Sequence, residues 1–223
     1  MYWILFIAVA LASFLVQRNL QAKFDKYSRV PTGGGLTGGE IAEQMLHQNG
    51  IFDVAVTCIE GTLTDHFDPT RKTVNLSRDV FYGRNITAAA VAAHECGHAV
   101  QHAVGYKPVE LRSKMVPAVQ FASQWVQWVL LGGILLVNVF PQLLMLGIAL
   151  FALTTIFSFV TLPVEVDASR RAINWLGQSG ILTRQTAEPA TEALRAAAYT
   201  YVVAALSSLG TLVYYVSILT NRR

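Results

Sequence analysis

Charge is what this 223-residue chain has least of: Asp, Glu, Lys and Arg make up 14% of it, against 53% hydrophobic residues. Soluble domains carry about 25% charged residues, so an ordinary water-facing domain is excluded and a membrane protein is implied. Basic runs are absent too. The formal net charge of +3 would suit an acidic partner, but no Lys or Arg lies between Lys114 and Arg170 and none clusters elsewhere. Nucleic acid is therefore not expected as a partner. Cysteine is equally scarce. Cys58 and Cys96 allow one bridge at most, with neither the density of a secreted disulfide scaffold nor the paired spacing of a structural zinc site. Both read as free thiols in a reducing compartment. There is no internal repeat, and the low-complexity sequence is confined to the glycine-rich link PTGGGLTGGE, from Pro31 to Glu40.

Long apolar runs are what the chain has instead. The first, Tyr2 to Val16, reaches about 22 Å as a helix, short of a hydrocarbon core of roughly 30 Å. No positive region precedes it, so residues 1–17 read as a retained membrane anchor, with a cleaved signal peptide as the alternative. Val116 to Val139 and Pro141 to Leu162 are separated by Phe140 and a helix-breaking proline, and contain neither acid nor base. They predict a transmembrane hairpin over residues 116–162. A fourth segment, Ala198 to Thr220, is long enough to span, making residues 198–223 a C-terminal transmembrane helix. Its tyrosines and serines make it wetter than the hairpin, and a buried helix lining the polar domain is the alternative. With four spans, every Lys and Arg except Arg222 and Arg223 falls on one side. By the positive-inside rule that side is cytoplasmic.

Between the apolar runs, residues 18–115 predict a small α+β unit. Ile41, Met45 and Leu46 lie at helical spacing ahead of Gly50, a natural stop. Val54 to Leu63 reads as a strand, DHFDPTRK as a turn and Thr73 to Ser77 as a second strand, together a small antiparallel element. NITAAAVAAHECGHAVQHAVG is a long alanine-rich helix beginning near Asn85 or Thr87 and stopping at Gly105.

That helix carries the chemistry. His94 and His98 are one turn plus about 40° apart, so both imidazoles leave one face and can converge on a single ion. Glu95 directly follows the first, the place of the general base in H-E-x-x-H helices. Zinc lowers the pKa of a bound water towards about 7, and a carboxylate beside it can take the proton, so metal-assisted amide hydrolysis is the expected reaction. A catalytic zinc needs a third protein ligand and an open position. His102 lies about 12 Å along the helix axis from His94 and is too far. Position 104, where metzincins place a histidine, is Val104. The remaining supply is LPVEVDASRRAINWLG, within residues 163–197, where Pro163 can start a helix and Glu165 falls in its first turn. Glu165 completes a His₂Glu set; Asp167 is the rival ligand, or else orients a ligand imidazole or pairs with Arg170 or Arg171. TVNLS is a candidate edge for an extended substrate, or an ordinary hairpin strand. His66 is expected to organise its turn beside Asp65 and Asp68, with polarising the substrate carbonyl as the alternative. Tyr82, Tyr199 and Tyr201 are candidates for steadying an oxyanion, and Cys96, turned away from the metal face, is a packing residue.

With HECGHAVQHAVGY, the DHFDP turn and VEVDASRRA in order, and apolar segments around them, the chain resembles the YugP-like neutral zinc metallopeptidases of bacterial membranes over nearly its whole length. That resemblance implies a membrane-embedded peptidase of the bacterial cytoplasmic membrane, with His94, His98 and Glu165 on one zinc ion and Glu95 as the base. The chain also looks distantly like the HtpX-type membrane gluzincins, in which an aspartate follows the ligand glutamate by four residues. Here that position is Ser169, and Asp167 stands two after Glu165, about 200° round a continuous helix. The expected fold is a mainly α integral membrane protein of about four transmembrane helices with a small α+β zincin-like domain. Its expected partners are the lipid bilayer and a protein or peptide substrate, and its cofactor is zinc. The rival reading is a catalytically idle zinc-binding membrane scaffold or adaptor, against which an intact Glu95 speaks, since structural zinc needs no base.

Overall fold

The computed structural model describes residues 2–221. Helix α1 spans Tyr2–Tyr27, α2 Gly38–Gln48, strand β1 Ala55–Ile59, β2 His66–Asp68 and β3 Thr73–Ser77. A single turn α3, Arg78–Phe81, leads to α4, Ile86–Ala103; three long helices follow, α5 Lys107–Leu135, α6 Pro141–Gln178 and α7 Ala187–Thr220.

Local chemistry explains the short helices. Thr37 and Glu40 close a reciprocal capping box on α2, in which the Glu40 N–H donates to Thr37 Oγ1 and the Thr37 N–H to Glu40 Oε2. Gly50 follows its end at φ 73°, a left-handed residue that costs glycine nothing. The α4 helix begins where expected, with Asn85 Oδ1 accepting from the Ala88 N–H at 2.9 Å.

The sheet differs from the expected antiparallel pair. Its order is β1-β3-β2, with β1 parallel to β3 and β2 antiparallel to it. HFD, read as turn chemistry, is a strand: His66 pairs with Asn75 and Asp68 with Thr73. Joining two parallel strands takes a crossover of a dozen or more residues, and here that connection itself folds into β2. TVNLS is therefore the central strand, with no free edge, and β1 and β2 are the edges. Asp65 anchors the arrangement by accepting from the Ser77 N–H at 2.7 Å and from its hydroxyl.

Among the described residues, two helices, α6 and α7, are long and apolar enough to cross a membrane. The first hairpin arm lies in α5, where Gln120, Gln124 and Gln127 dilute the apolar run. The N-terminal apolar segment is helical but continues unbroken into the polar stretch, to Tyr27. Pro163 starts no new helix. It lies inside α6, where it removes one backbone bond, and the helix continues unbroken past it through the fully buried Val164, Ala168 and Ala172.

The core sits around α4. Ile41, Met45 and Leu46 of α2, Val74 and Leu76 of β3, and Ala89, Ala93 and Cys96 of α4 are all but inaccessible to solvent. On its other side α4 meets α6 at a close crossing: a Cβ on Gly97 would stand 2.6 Å from the Ala168 carbonyl oxygen. Small residues at that crossing bring the two backbones together. The α5–α6 hairpin uses the same device at Gly133, where a Cβ would fall 2.6 Å from the Leu144 Cα. Glu192 of α7 accepts from Lys23 Nζ and from the Tyr27 hydroxyl of α1, tying first helix to last.

Candidate metal centre

The crossing of α4 over α6 assembles the site. His94 and His98 project from α4, and Glu165 meets them from α6 two residues beyond Pro163. Their ligand atoms lie within 4.8 Å of one another. Glu165 Oε2 stands 3.2 Å from His94 Nε2 and 3.6 Å from His98 Nε2. Tetrahedral ligands at zinc distances of about 2.0–2.1 Å are roughly 3.3 Å apart, so the two carboxylate–imidazole spacings are compatible with a shared metal ion.

The hydrogen bonds around the rings sharpen this. Gln101, fully buried one turn after His98, donates its amide Nε2 to the Val164 carbonyl at 2.8 Å and to Asp167 Oδ2 at 2.9 Å. Both its N–H groups are spent, so the atom facing His98 Nδ1 at 3.1 Å is the amide oxygen, an acceptor. When neutral, His98 then carries its proton on Nδ1 and turns a lone pair on Nε2 towards Glu165. A lone pair facing a buried carboxylate oxygen is repulsive unless a proton or a metal cation lies between them. His94 is held likewise, its Nδ1 lying 3.1 Å from the Ser169 hydroxyl. Arg171 Nε donates to Asp167 at 2.6 Å and completes a chain from guanidinium to carboxylate to amide to imidazole. Such partners are what orient metal-binding histidines.

The electrostatics agree. Glu165 is 3% exposed; burial alone would raise its pKa, but the two imidazoles hold the carboxyl well below the usual carboxylate range. Burial would lower the His98 pKa, yet the facing Glu165 outweighs it and the ring titrates above its ordinary value. Arg112 of α5 approaches the other oxygen, Glu165 Oε1, at 3.5 Å. A buried carboxylate gathering this much positive character suits a cation site.

Glu95 points to the same place. One carboxylate oxygen accepts from the Phe67 N–H of edge strand β2 at 3.1 Å, and the side chain lines both cavities that meet at the cluster. One cavity, about 200 Å³, is walled by Leu20, Phe24, Val91, Leu194 and Ala198. The other, about 400 Å³, is bounded by Phe67, Val109, Arg112, Val116 and Phe157.

These positions settle several expectations about geometry. Asp167 is not in the ligand cluster; it pairs with Arg171 and reaches His98 only through Gln101. Ser169, at the place of the gluzincin aspartate, meets His94 itself. His102 lies outside the cluster with its ring edge-on to Phe67. His66 Nδ1 meets the Thr64 carbonyl at 2.7 Å, as a turn residue would, while its ring also borders the larger cavity. Of the three tyrosines, Tyr201 lines both cavities, whereas Tyr82 and Tyr199 are exposed and border neither. Both cysteines are free thiols, Cys96 buried against the Ala42 carbonyl. Gln101 and Arg112 were not singled out from the sequence, and Ser169 only as the position of the gluzincin aspartate. A signal for Gln101 existed: a lone amide on an alanine-rich face, one turn past His98.

Residues 2–220 match the model of the family described as "Putative neutral zinc metallopeptidase". The chain belongs to that family. It is also 45% identical over 211 residues, 95% of this chain and 93% of the relative, to "Putative membrane protease YugP" of Bacillus subtilis (strain 168). No solved structure matches. The zinc of the family description fits the donor set here, two neutral imidazole nitrogens and a carboxylate.

Proposed function

We propose that this protein is a membrane-embedded zinc metallopeptidase in which His94, His98 and Glu165 hold one zinc ion and Glu95 is the general base. The observation that carries the reading is the convergence of His94 Nε2 and His98 Nε2 on the buried carboxylate oxygen of Glu165, at 3.2 and 3.6 Å. A bound zinc ion supplies an acidified water and polarises a peptide carbonyl. Glu95, tethered to β2 through one oxygen, has the other available to take the proton from the water and pass it to the leaving amine. Edge strand β2, beside the base, is the place for an extended substrate to pair, in the role first considered for TVNLS. Tyr201, bordering both cavities beside Glu165, is the tyrosine placed to donate to the developing oxyanion.

The membrane reading rests on the apolar α6 and α7 and on the relative's description as a membrane protease. We place the protein in the bacterial cytoplasmic membrane as a multi-pass protein with its site facing the cytoplasm, since nearly all its bases lie on the side of the catalytic unit. The test is hydrolysis of an unfolded casein substrate by the purified protein in detergent with zinc. Wild type cleaves; Glu95→Gln keeps its zinc and loses about 10²-fold or more of the rate. Equal, negligible rates with zinc bound in both would make the site a structural one and the protein a scaffold.

A further inference from the structure

We infer that the face of α5 carrying Gln120, Ser123, Gln124 and Gln127 is a docking track for a membrane-crossing helix of the substrate protein. This rests on the membrane-peptidase reading above and names its substrate class.

The argument begins with periodicity. Val109, Arg112, Ser113 and Val116 of α5 line the larger cavity at the metal centre. At 100° per residue, Gln120, Ser123, Gln124 and Gln127 all point within about 60° of the direction of Val109. Apart from the indole nitrogens of Trp125 and Trp128, their side chains are the polar groups between Met115 and Leu135, and all four belong to the face that opens into the site. The track runs about 16 Å from Val116 to Gln127, roughly halfway through a hydrocarbon core.

The other faces of the helix are accounted for. Ala122, Leu130 and Gly133 are buried, and Gly133 meets Leu144 of α6. Phe121, Trp125 and Trp128 are exposed on the opposite flank and suit lipid tails. The glutamine face is exposed as well, and among the described residues none of its three amides has a hydrogen-bond partner. The hydroxyls of α6 behave differently: Thr154, Thr155, Ser158 and Thr161 all bond to carbonyls of their own helix. In the membrane hairpin expected from the sequence, on which this inference rests, three unpaired amides would face hydrocarbon at a cost, and polar side chains within membranes serve as interhelical contacts.

Continuity with the cavity selects the occupant. A second copy of this chain on the same face would lie across the cavity mouth that the face leads into. A substrate helix lying along it would instead deliver the extended segment at its end to Glu95 and β2. The fitting partner is a single apolar helix with serine or threonine about every seventh residue, joined to an unfolded cytoplasmic stretch.

The experiment uses the full chain with zinc in liposomes. One substrate is a free casein peptide; the other is the same peptide joined to a leucine–alanine helix bearing serines at seven-residue spacing. The triple variant Gln120→Leu/Gln124→Leu/Gln127→Leu is expected to cleave the free peptide like wild type and the anchored one roughly ten- to twentyfold more slowly, the effect of about three interhelical hydrogen bonds. In a second arm, the Glu95→Gln protein with a photo-crosslinking phenylalanine analogue in place of Gln124 is expected to capture the anchored helix. Equal loss on both substrates, no loss on either, or crosslinking to a second copy would each overturn the proposal. Capture of the anchored helix by a protein whose wild type cleaves neither substrate would sustain the docking face and refute the peptidase reading. Cleavage of neither substrate by wild type, together with no capture of the anchored helix, would remove both.

Discussion

Replacing Gln101 with leucine tests the metal centre where its logic is tightest. The side chain is fully buried, donates to Val164 and Asp167, and accepts from His98 Nδ1. Leucine fills nearly the same space, so the change removes polarity without opening a cavity. Asp167 keeps Arg171, but the His98 N–H is left in a dry site with nothing to receive it. Stranding such a donor costs about 1–3 kcal/mol. Freed of the amide oxygen, the ring can rotate or take the other tautomer, turning N–H rather than a lone pair towards the metal. Loss of such an outer partner lowers metal affinity by about 10–100-fold, which is roughly 1.4–2.7 kcal/mol. Competition between the purified protein and a chelator of known zinc affinity reads this directly, and melting of the metal-free protein reads the stability loss separately. If Gln101→Leu loses stability but binds zinc like wild type, the inference that the amide sets the His98 tautomer is wrong.

Other outcomes follow from the same geometry. Gly97→Ala gains about 1 kcal/mol of helix propensity, but its methyl would stand 2.6 Å from the Ala168 carbonyl, and overpacking of a rigid backbone costs about 1–3 kcal/mol. The variant should melt lower and bind zinc more weakly, because the two helices it separates carry the ligands; unchanged values for both would contradict the close crossing. Without metal, the raised pKa of His98 contributes stability that is full below the ordinary imidazole value near 6.5 and is lost as pH rises through the raised value. With zinc the sign reverses, since the imidazoles must be neutral to bind. Melting temperatures against pH in chelator should therefore fall where those in zinc rise, and parallel curves would argue that His98 neither pairs with Glu165 nor binds metal.

The paired histidines, the glutamate between them and the helix that carries them were legible in the chain because all four are local. Four-residue spacing puts two side chains on one helix face whatever surrounds it, and Asn85 and Gly105 mark its limits. Glu165 was within reach of the same reasoning only by elimination, as an acid at the end of the apolar hairpin. Its actual setting depends on Pro163 lying inside an unbroken α6, which the crossing with α4 holds in place and no local rule specifies.

What the sequence alone determined was the chemistry available: two imidazoles, a carboxylate next to one of them, and enough apolar length to place them at a membrane. The tertiary structure decided which groups meet. It made TVNLS the central strand between the edges β1 and β2 and set Ser169 and Gln101 behind the rings, leaving Asp167 at one remove. Residue spacing constrains neighbours on one helix, whereas partners some 60 to 75 positions apart are joined only when two backbones come close enough, here across the small residues Gly97 and Ala168.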